Sequence, residues 1–428
     1  MNVLWVCNIM LPAIARQLEL PYSNREGWLS AMLDKFLQEQ HRNKITLGIA
    51  FPVSEETGNI DRELLLGEES ICHCYGFVEN LNTPEFYDSS IEERMKAIIE
   101  DFKPDIVHIF GTEFPHALAC ARAYRRPART LISIQGLVSE CADAYMADLP
   151  ANVQRSVTFR DIVKKDSLKQ QQRKFRKRGV YEKEAIRLAG YIAGRTDFDR
   201  ETTAKINPEA KYYLLNETLR NCFYHDRWKK NECIPYSIFL SQGDYPLKGF
   251  HYLLQAMPAV LERFPEAQIF VAGNNILQNA TWKDRIKRSA YGKYLKKLIR
   301  ENHLQDKVTM LGSLDAESMK EQFLRSHVFV CPSALENSPN SVGEAMLLGV
   351  PCVAADVGGV HNILVNGGDG LLYPKGSIEG LSEKIIETFE KELITEMYSQ
   401  NARRHARETH DADQNYYKMI RIYREITE

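Results

Sequence analysis

Two glutamates, Glu336 and Glu344, stand with seven residues between them, in a run that reads Cys331-Pro332-Ser333-Ala334-Leu335-Glu336 and then Asn337-Ser338-Pro339-Asn340. The apolar residues up to Cys331 predict a strand, and 341–348 a helix that stops at Gly349-Val350-Pro351. Glu336 then falls on the loop beyond the strand and Glu344 in the opening turn of the helix. Backbone N–H groups at a helix N-terminus attract anions through their unmet donors and the helix dipole. A carboxylate on each side of such a site suits a ligand whose hydroxyls flank phosphates, the layout of a nucleotide sugar. The spacing Ser341-x-x-Glu344 also fits a capping box, and Glu336 a surface loop acid. A second candidate loop runs 241–250, where Lys248-Gly249 opens a helix and the lysine is placed to pair with a diphosphate. An exposed lysine that is merely solvated has the same signature.

Strand-like apolar runs at 3–8, 45–51, 105–110, 130–135, 190–194 and 212–215 must position the first half, with amphipathic helices at 27–37 and 91–101 between them. The rhythm restarts at 237–241, 268–272, 308–311, 328–331 and 352–355. Alternating strands and crossover helices predict an α/β chain of two doubly wound, Rossmann-like domains, ligands lying beyond the carboxyl ends of the strands. The expected division is residues 1–230 and 231–408. A final helix over 409–428, with Tyr416, Met419, Ile420 and Tyr423 on one stripe, has a face to bury by crossing back to the first domain.

The 428 residues are 44% hydrophobic and 26% charged, with a formal net charge of -2, which gives no reason to expect nucleic acid as a partner. No apolar run approaches the ~20 residues of a spanning helix. Nine cysteines, an odd number, with no export signal, predict reduced thiols and a cytoplasmic protein. Cys72-His73-Cys74 is spaced too tightly for a zinc site and has no second pair nearby. Residues 160–178 hold nine Lys or Arg against two acids. That segment reads as a solvated helix or loop, or as a peripheral contact with anionic headgroups at the inner membrane surface.

The segment 330–351, with its paired glutamates, resembles family 4 of the retaining nucleotide-sugar glycosyltransferases. Lys248-Gly249-Phe250, Val271-Ala272-Gly273, Leu311-Gly312 and Gly358-Gly359 follow the order seen there. The resemblance covers 237–374 well and the N-terminal half weakly. It implies a GT-B fold, an N-terminal acceptor domain and a C-terminal donor domain. It also implies that Glu344 holds ribose hydroxyls and Glu336 the transferred sugar. Lys248 would neutralise the diphosphate, with amides near Asn340, Ser341 and Val342, while Gly273 and Leu311 contact the base. Gln242 joins this donor set. The implied reaction moves a sugar from a nucleoside-diphosphate sugar, UDP being the favoured nucleotide, to a hydroxyl of a glycan or lipid-linked acceptor. Neither a bound cofactor nor a metal is expected.

This chain departs from the family pattern at three places, the third being the usual glycine-rich first loop, here long and holding Pro12 and Pro21. Gln242-Gly243 stands where a second diphosphate cation is usual, so Arg195 becomes a candidate substitute, or a salt-bridge residue. Ile134-Gln135-Gly136 replaces a His-Asp pair, and a glutamine is no general base at neutral pH. On the acceptor side, Gly27 at the helix start after a long first loop over 8–25, Gln135, His116 and Arg195 are the candidates. Thr112 is expected as the N-cap of the helix that follows, with ordinary helix-start roles for Glu113 and His116. An epimerase or phosphorylase of the same architecture, or a non-catalytic sugar-nucleotide sensor, are the rival readings.

Overall fold

β1 (Asn2–Val6) sorts its side chains onto two cores. Val3 and Trp5 pack with Trp28, Phe36 and Tyr416, whereas Leu4 and Val6 pack with Met95, Leu118 and Ile132. A strand that buries both faces belongs in the middle of a sheet covered by helices on each side. In the computed structural model, which describes residues 1–21, 27–66, 70–277 and 288–428, that is its place. The chain forms two compact units, the first made of Met1–Glu140, Lys174–Arg220 and Thr409–Glu428, the second of Cys141–Arg173 and Asn221–Glu408.

The sheet of the first unit adds β2 (Thr46–Val53), β3 (Ile60–Leu66), β4 (Ser70–Val78), β5 (Ile106–Phe110), β6 (Thr130–Ser133), β7 (Tyr191–Gly194) and β8 (Lys211–Leu214). Their order is β3-β4-β2-β1-β5-β6-β7-β8, parallel except for β3 against β4. Neither β3 nor β4 was anticipated: β3 is an edge strand with Asp61, Arg62 and Glu63 in solvent, which interrupt its apolar residues. Cys72 and Cys74 lie on β4 and enter the core, while His73 lies on the other face with its ring 5.5 Å from Phe102. Strand alternation thus sends these three side chains to opposite sides. The helix Ala412–Thr427 buries the expected stripe in this unit, where Tyr423 OH accepts from Trp5 Nε1 (2.9 Å). The same hydroxyl lies 2.6 Å from His108 Nδ1, whose Nε2 is 2.7 Å from Ser133 Oγ, a polar chain closed inside the core.

The sheet of the second unit holds β9 (Ile234–Leu240), β10 (Gln268–Ala272), β11 (Val308–Gly312), β12 (Ser326–Cys331), β13 (Cys352–Asp356) and β14 (Leu371–Pro374), in the order β11-β10-β9-β12-β13-β14 and wholly parallel. The chain leaves β9 for β10 on one side and later returns to its other side with β12. The gap between the carboxyl ends of β9 and β12 is therefore a topological switch point, the place where such sheets open a crevice. Residues 141–173 pack with this unit, although sequence order grouped them with the first. His251 Nε2 meets Ala147 O at 2.8 Å, Tyr252 OH donates to Asp148 Oδ2 at 2.7 Å and Ala290 N to Asp161 Oδ2 at 3.1 Å. Long-range polar contacts of this kind leave no local sequence signal.

Candidate functional site

Lys248 and Glu336 meet at the switch point. Lys248 closes a short turn, Pro246–Lys248, after β9, and Glu336 lies on the loop after β12. The two loops touch because Gly249 has no side chain: it sits at φ +69°, and a Cβ there would lie 1.8 Å from Pro332 O. Ala334 N donates to Leu247 O (2.8 Å), fastening the contact. From the other flank, Gly359 N donates to Glu336 O at 3.1 Å. Gly358, at φ +52°, brings its Cα so close that a Cβ would stand 2.0 Å from that oxygen. Both glycines are therefore required by backbone approach.

Lys248 Nζ donates to Glu336 Oε1 at 2.6 Å, and Ser333 Oγ donates to the same oxygen at 2.6 Å. Glu336 Oε2 has no protein donor among the described residues, which leaves it able to accept from a ligand hydroxyl. The side chains are 24% and 11% exposed, so the pair is shielded but reachable. Burial pulls the Lys248 ammonium toward neutrality, and the adjoining Glu336 carboxylate outweighs it, holding the lysine charged well above its usual range.

The helix Asn340–Leu348 begins at the mouth of the same crevice. Its N-cap is Pro339, with no side-chain cap, so Ser341 is already the second helical residue and the capping box does not form. Glu344 lies on a helix whose other buried residues are apolar or glycine and is itself only 5% exposed. Of the three expected amides, Val342 N already bonds Pro339 O (3.0 Å), and Asn340 and Ser341 form the first two positions of the helix.

Gln242 and Gly273 lie side by side after β9 and β10, a Cβ on Gly273 falling 3.5 Å from Gln242 Cγ. Gly273 N donates to Gly312 O (2.9 Å), which brings Leu311 on β11 to the same edge. Sequence reasoning missed Asp244 here. Its Oδ2 accepts from Asn274 (2.7 Å), and its Oδ1 is buried without a hydrogen-bond partner among the described residues. The signal was available: an acid at a strand's carboxyl end facing a glycine loop.

The acceptor-side candidates gather at the carboxyl edge of the first unit's sheet, in two groups. Gln135 Nε2 and Arg195 Nη1 both bind Glu217, at 2.6 and 2.7 Å, and Arg195 and Glu217 are each buried. Arg195 thus forms a salt bridge, with a partner the sequence reading overlooked. In the second group His116 is fully buried, Nδ1 2.6 Å from Glu79 Oε2 and Nε2 3.1 Å from Asn8 Oδ1. Asn8 Nδ2 passes on to Glu113 Oε2 (3.1 Å), whose carboxyl burial raises above its usual range. Gly111, at φ +87°, makes room, since a Cβ would sit 2.2 Å from that oxygen.

Thr112 is not an N-cap. Pro115 fixes the helix start at Pro115–Tyr124 with Phe114 as cap, and Thr112 Oγ1 donates instead to buried Glu182 (3.3 Å). Gly27 opens the helix Gly27–Asn43 directly under Arg220, whose Cγ a Cβ would approach to 2.4 Å. Of the long first loop, residues 22–26 lie outside the described residues. No group of three or more His, Cys, Asp or Glu side chains suited to a metal ion occurs among the described residues. No described helix is long and apolar enough to cross a membrane.

Comparison with known proteins bears on both units. Residues 223–405, nearly all of the second unit's main segment, match the family model of glycosyl transferases group 1. An uncharacterized glycosyltransferase of Methanocaldococcus jannaschii is 31% identical over 129 residues, 30% of this chain and 29% of that protein. The phosphatidyl-myo-inositol mannosyltransferase of Mycobacterium leprae is 26% identical over 162 residues, 38% of this chain and 39% of its own. The chain therefore spans well under half the length of these curated relatives. Among solved structures, Anabaena HepE in complex with UDP-glucose superposes with a TM-score of 0.66 at 15% identity, covering 99% of this chain and 100% of that one. Over its whole length the chain has the GT-B fold, and its residues 223–405 carry the sequence pattern of the glycosyl transferases group 1.

Proposed function

We propose that this chain is a retaining, metal-independent glycosyltransferase that moves a sugar from a nucleoside-diphosphate sugar, UDP being favoured, to a hydroxyl of a glycan or lipid-linked acceptor at the cytoplasmic side of a membrane. The observation that carries the reading is the Lys248–Glu336 pair beside the Asn340–Leu348 N-terminus at the switch point, inside the segment with the group 1 pattern. The UDP-glucose complex of the HepE neighbour and the lipid named in the mannosyltransferase relative support the donor and acceptor classes.

In this reading the acceptor oxygen attacks the anomeric carbon as the bond from that carbon to the diphosphate oxygen breaks. The acceptor proton passes to the departing phosphate oxygen on the same face, so the products are the glycoside and the free nucleoside diphosphate. No second carboxylate is assigned to the opposite face, unlike a retaining hydrolase. Charge building on the diphosphate is met by Lys248 and the Asn340 and Ser341 amides, a preorganised electrostatic role. Glu344 grips the ribose and Glu336 Oε2 a sugar hydroxyl. Gln242, Gly273, Leu311 and Asp244 border the base.

A thermal-shift screen of nucleoside diphosphates and their sugars tests this. A true donor held at about 100 times its Kd stabilises by about 2.7 kcal/mol and raises the melting temperature visibly. No shift with any nucleotide sugar would refute the reading. A shift without turnover on a broad acceptor panel would instead mark a sensor.

A further inference from the structure

The short helix Phe159–Lys164 turns apolar side chains outward. Phe159, Ile162 and Val163 are 67%, 64% and 64% exposed, and Val157 just before them 55%. Positions 159, 162 and 163 are spaced i, i+3 and i+4, so they form one face. Fraying does not explain their exposure. Thr158 Oγ1 accepts from Asp161 N (3.2 Å) while Asp161 Oδ2 accepts from Thr158 N (2.9 Å), and Asp161 also receives Ala290 N. The turn is thus clamped to the second unit with its greasy face outward.

Exposed cations follow that face along the chain. Lys164, Lys165, Lys169 and Arg173 are exposed, whereas the two acids of the stretch are spent internally, Asp161 in the capping box and Asp166 on Arg160 at 2.7 Å. Apolar tips close in the chain to exposed cations that have no ion pair among the described residues match the boundary of an anionic bilayer, where acyl chains take the former and headgroup phosphates the latter. We propose that this turn docks on an anionic lipid surface. Insertion of Phe159, Ile162 and Val163 supplies the affinity, and Lys164, Lys165, Lys169 and Arg173 supply the lipid selectivity. None of these side chains belongs to the candidate transfer site.

Flotation of the full chain with vesicles tests it. Vesicles of phosphatidylcholine mixed with phosphatidylglycerol should carry the protein, pure phosphatidylcholine far less, and added salt should release it. Burying one such side chain is worth about tenfold or more in partition, so the triple variant Phe159→Ser, Ile162→Ser, Val163→Ser should lose at least about a hundredfold. Lys164→Glu with Lys165→Glu should cost several-fold and only on anionic vesicles. Because all these side chains are exposed, melting should not change. As a second readout, Phe159→Trp should shift its emission to the blue on adding the anionic vesicles. Equal flotation of the triple variant and the parent, no flotation of the parent, or an unshifted tryptophan would overturn the proposal. The middle result would point to a protein partner for this face instead.

Discussion

Gly249→Ala separates the positioning of the candidate site from its chemistry, because the added methyl touches no catalytic atom. At φ +69° an alanine costs roughly 1–2 kcal/mol in backbone strain alone. Its Cβ would also stand 1.8 Å from Pro332 O, so the two loops must part by about 1.2 Å to reach even the 3.0 Å that real contacts keep. Overpacking of this kind adds about 1–3 kcal/mol. Gly312→Ala supplies the control, for Gly312 has φ +78° with nothing within 4 Å of the added methyl. The difference in urea midpoint between the two variants, at equal slope, isolates the clash. Parting the loops also draws Lys248 from Glu336, and misplacement by about 1 Å costs on the order of a hundredfold in turnover. Gly249→Ala should thus melt several degrees below Gly312→Ala and lose turnover out of proportion to its fraction unfolded. Equal stability of the two variants, or full turnover in Gly249→Ala, would refute the claim that loop apposition builds the site.

Other outcomes follow from the same geometry. Arg195→Met should cost about 3–5 kcal/mol by removing the cation paired with buried Glu217, and Glu217→Met added to it should recover part of that in a double-mutant cycle. Burial lowers His108 to about 3, below its unfolded value, so the unfolded chain binds the extra proton between these values. Stability present above pH 6.5 should therefore fall by about 1.4 kcal/mol per unit as pH drops toward 3, and His108→Gln should flatten that slope in urea titrations. Transfer should persist in a strong chelator, and its complete loss would contradict a reaction without a metal.

The fold of the second unit was the more legible in the sequence. Parallel strands buried on both faces leave unbroken apolar runs, and loops at a switch point concentrate Gly, Lys and Glu in short motifs such as Lys248-Gly249 and Glu336 with Gly358-Gly359. Edges were harder to read. β3 carries Asp61, Arg62 and Glu63 in solvent, and β14 has only four residues. Local cap rules misled at two places, since Pro115 and Pro339 set the helix starts and left Thr112 and Ser341 with other roles. Glu217, Arg220 and Asp244 escaped notice because each gains its meaning from a distant partner or neighbour, respectively Arg195, Gly27 and Asn274. No local window records such pairs. Exposure of Phe159 and Ile162 was equally hidden, for apolar residues in a helix are ordinarily read as core.

The account rests most directly on the division of labour between the two acids, and titration calorimetry with UDP and UDP-glucose on Glu344→Ala and Glu336→Ala measures it. Glu344→Ala should weaken both ligands alike, by about tenfold or more for a lost charged hydrogen bond. Glu336→Ala should leave UDP unchanged and weaken only UDP-glucose. Unaltered UDP affinity in Glu344→Ala, or equal losses for both ligands in Glu336→Ala, would contradict it.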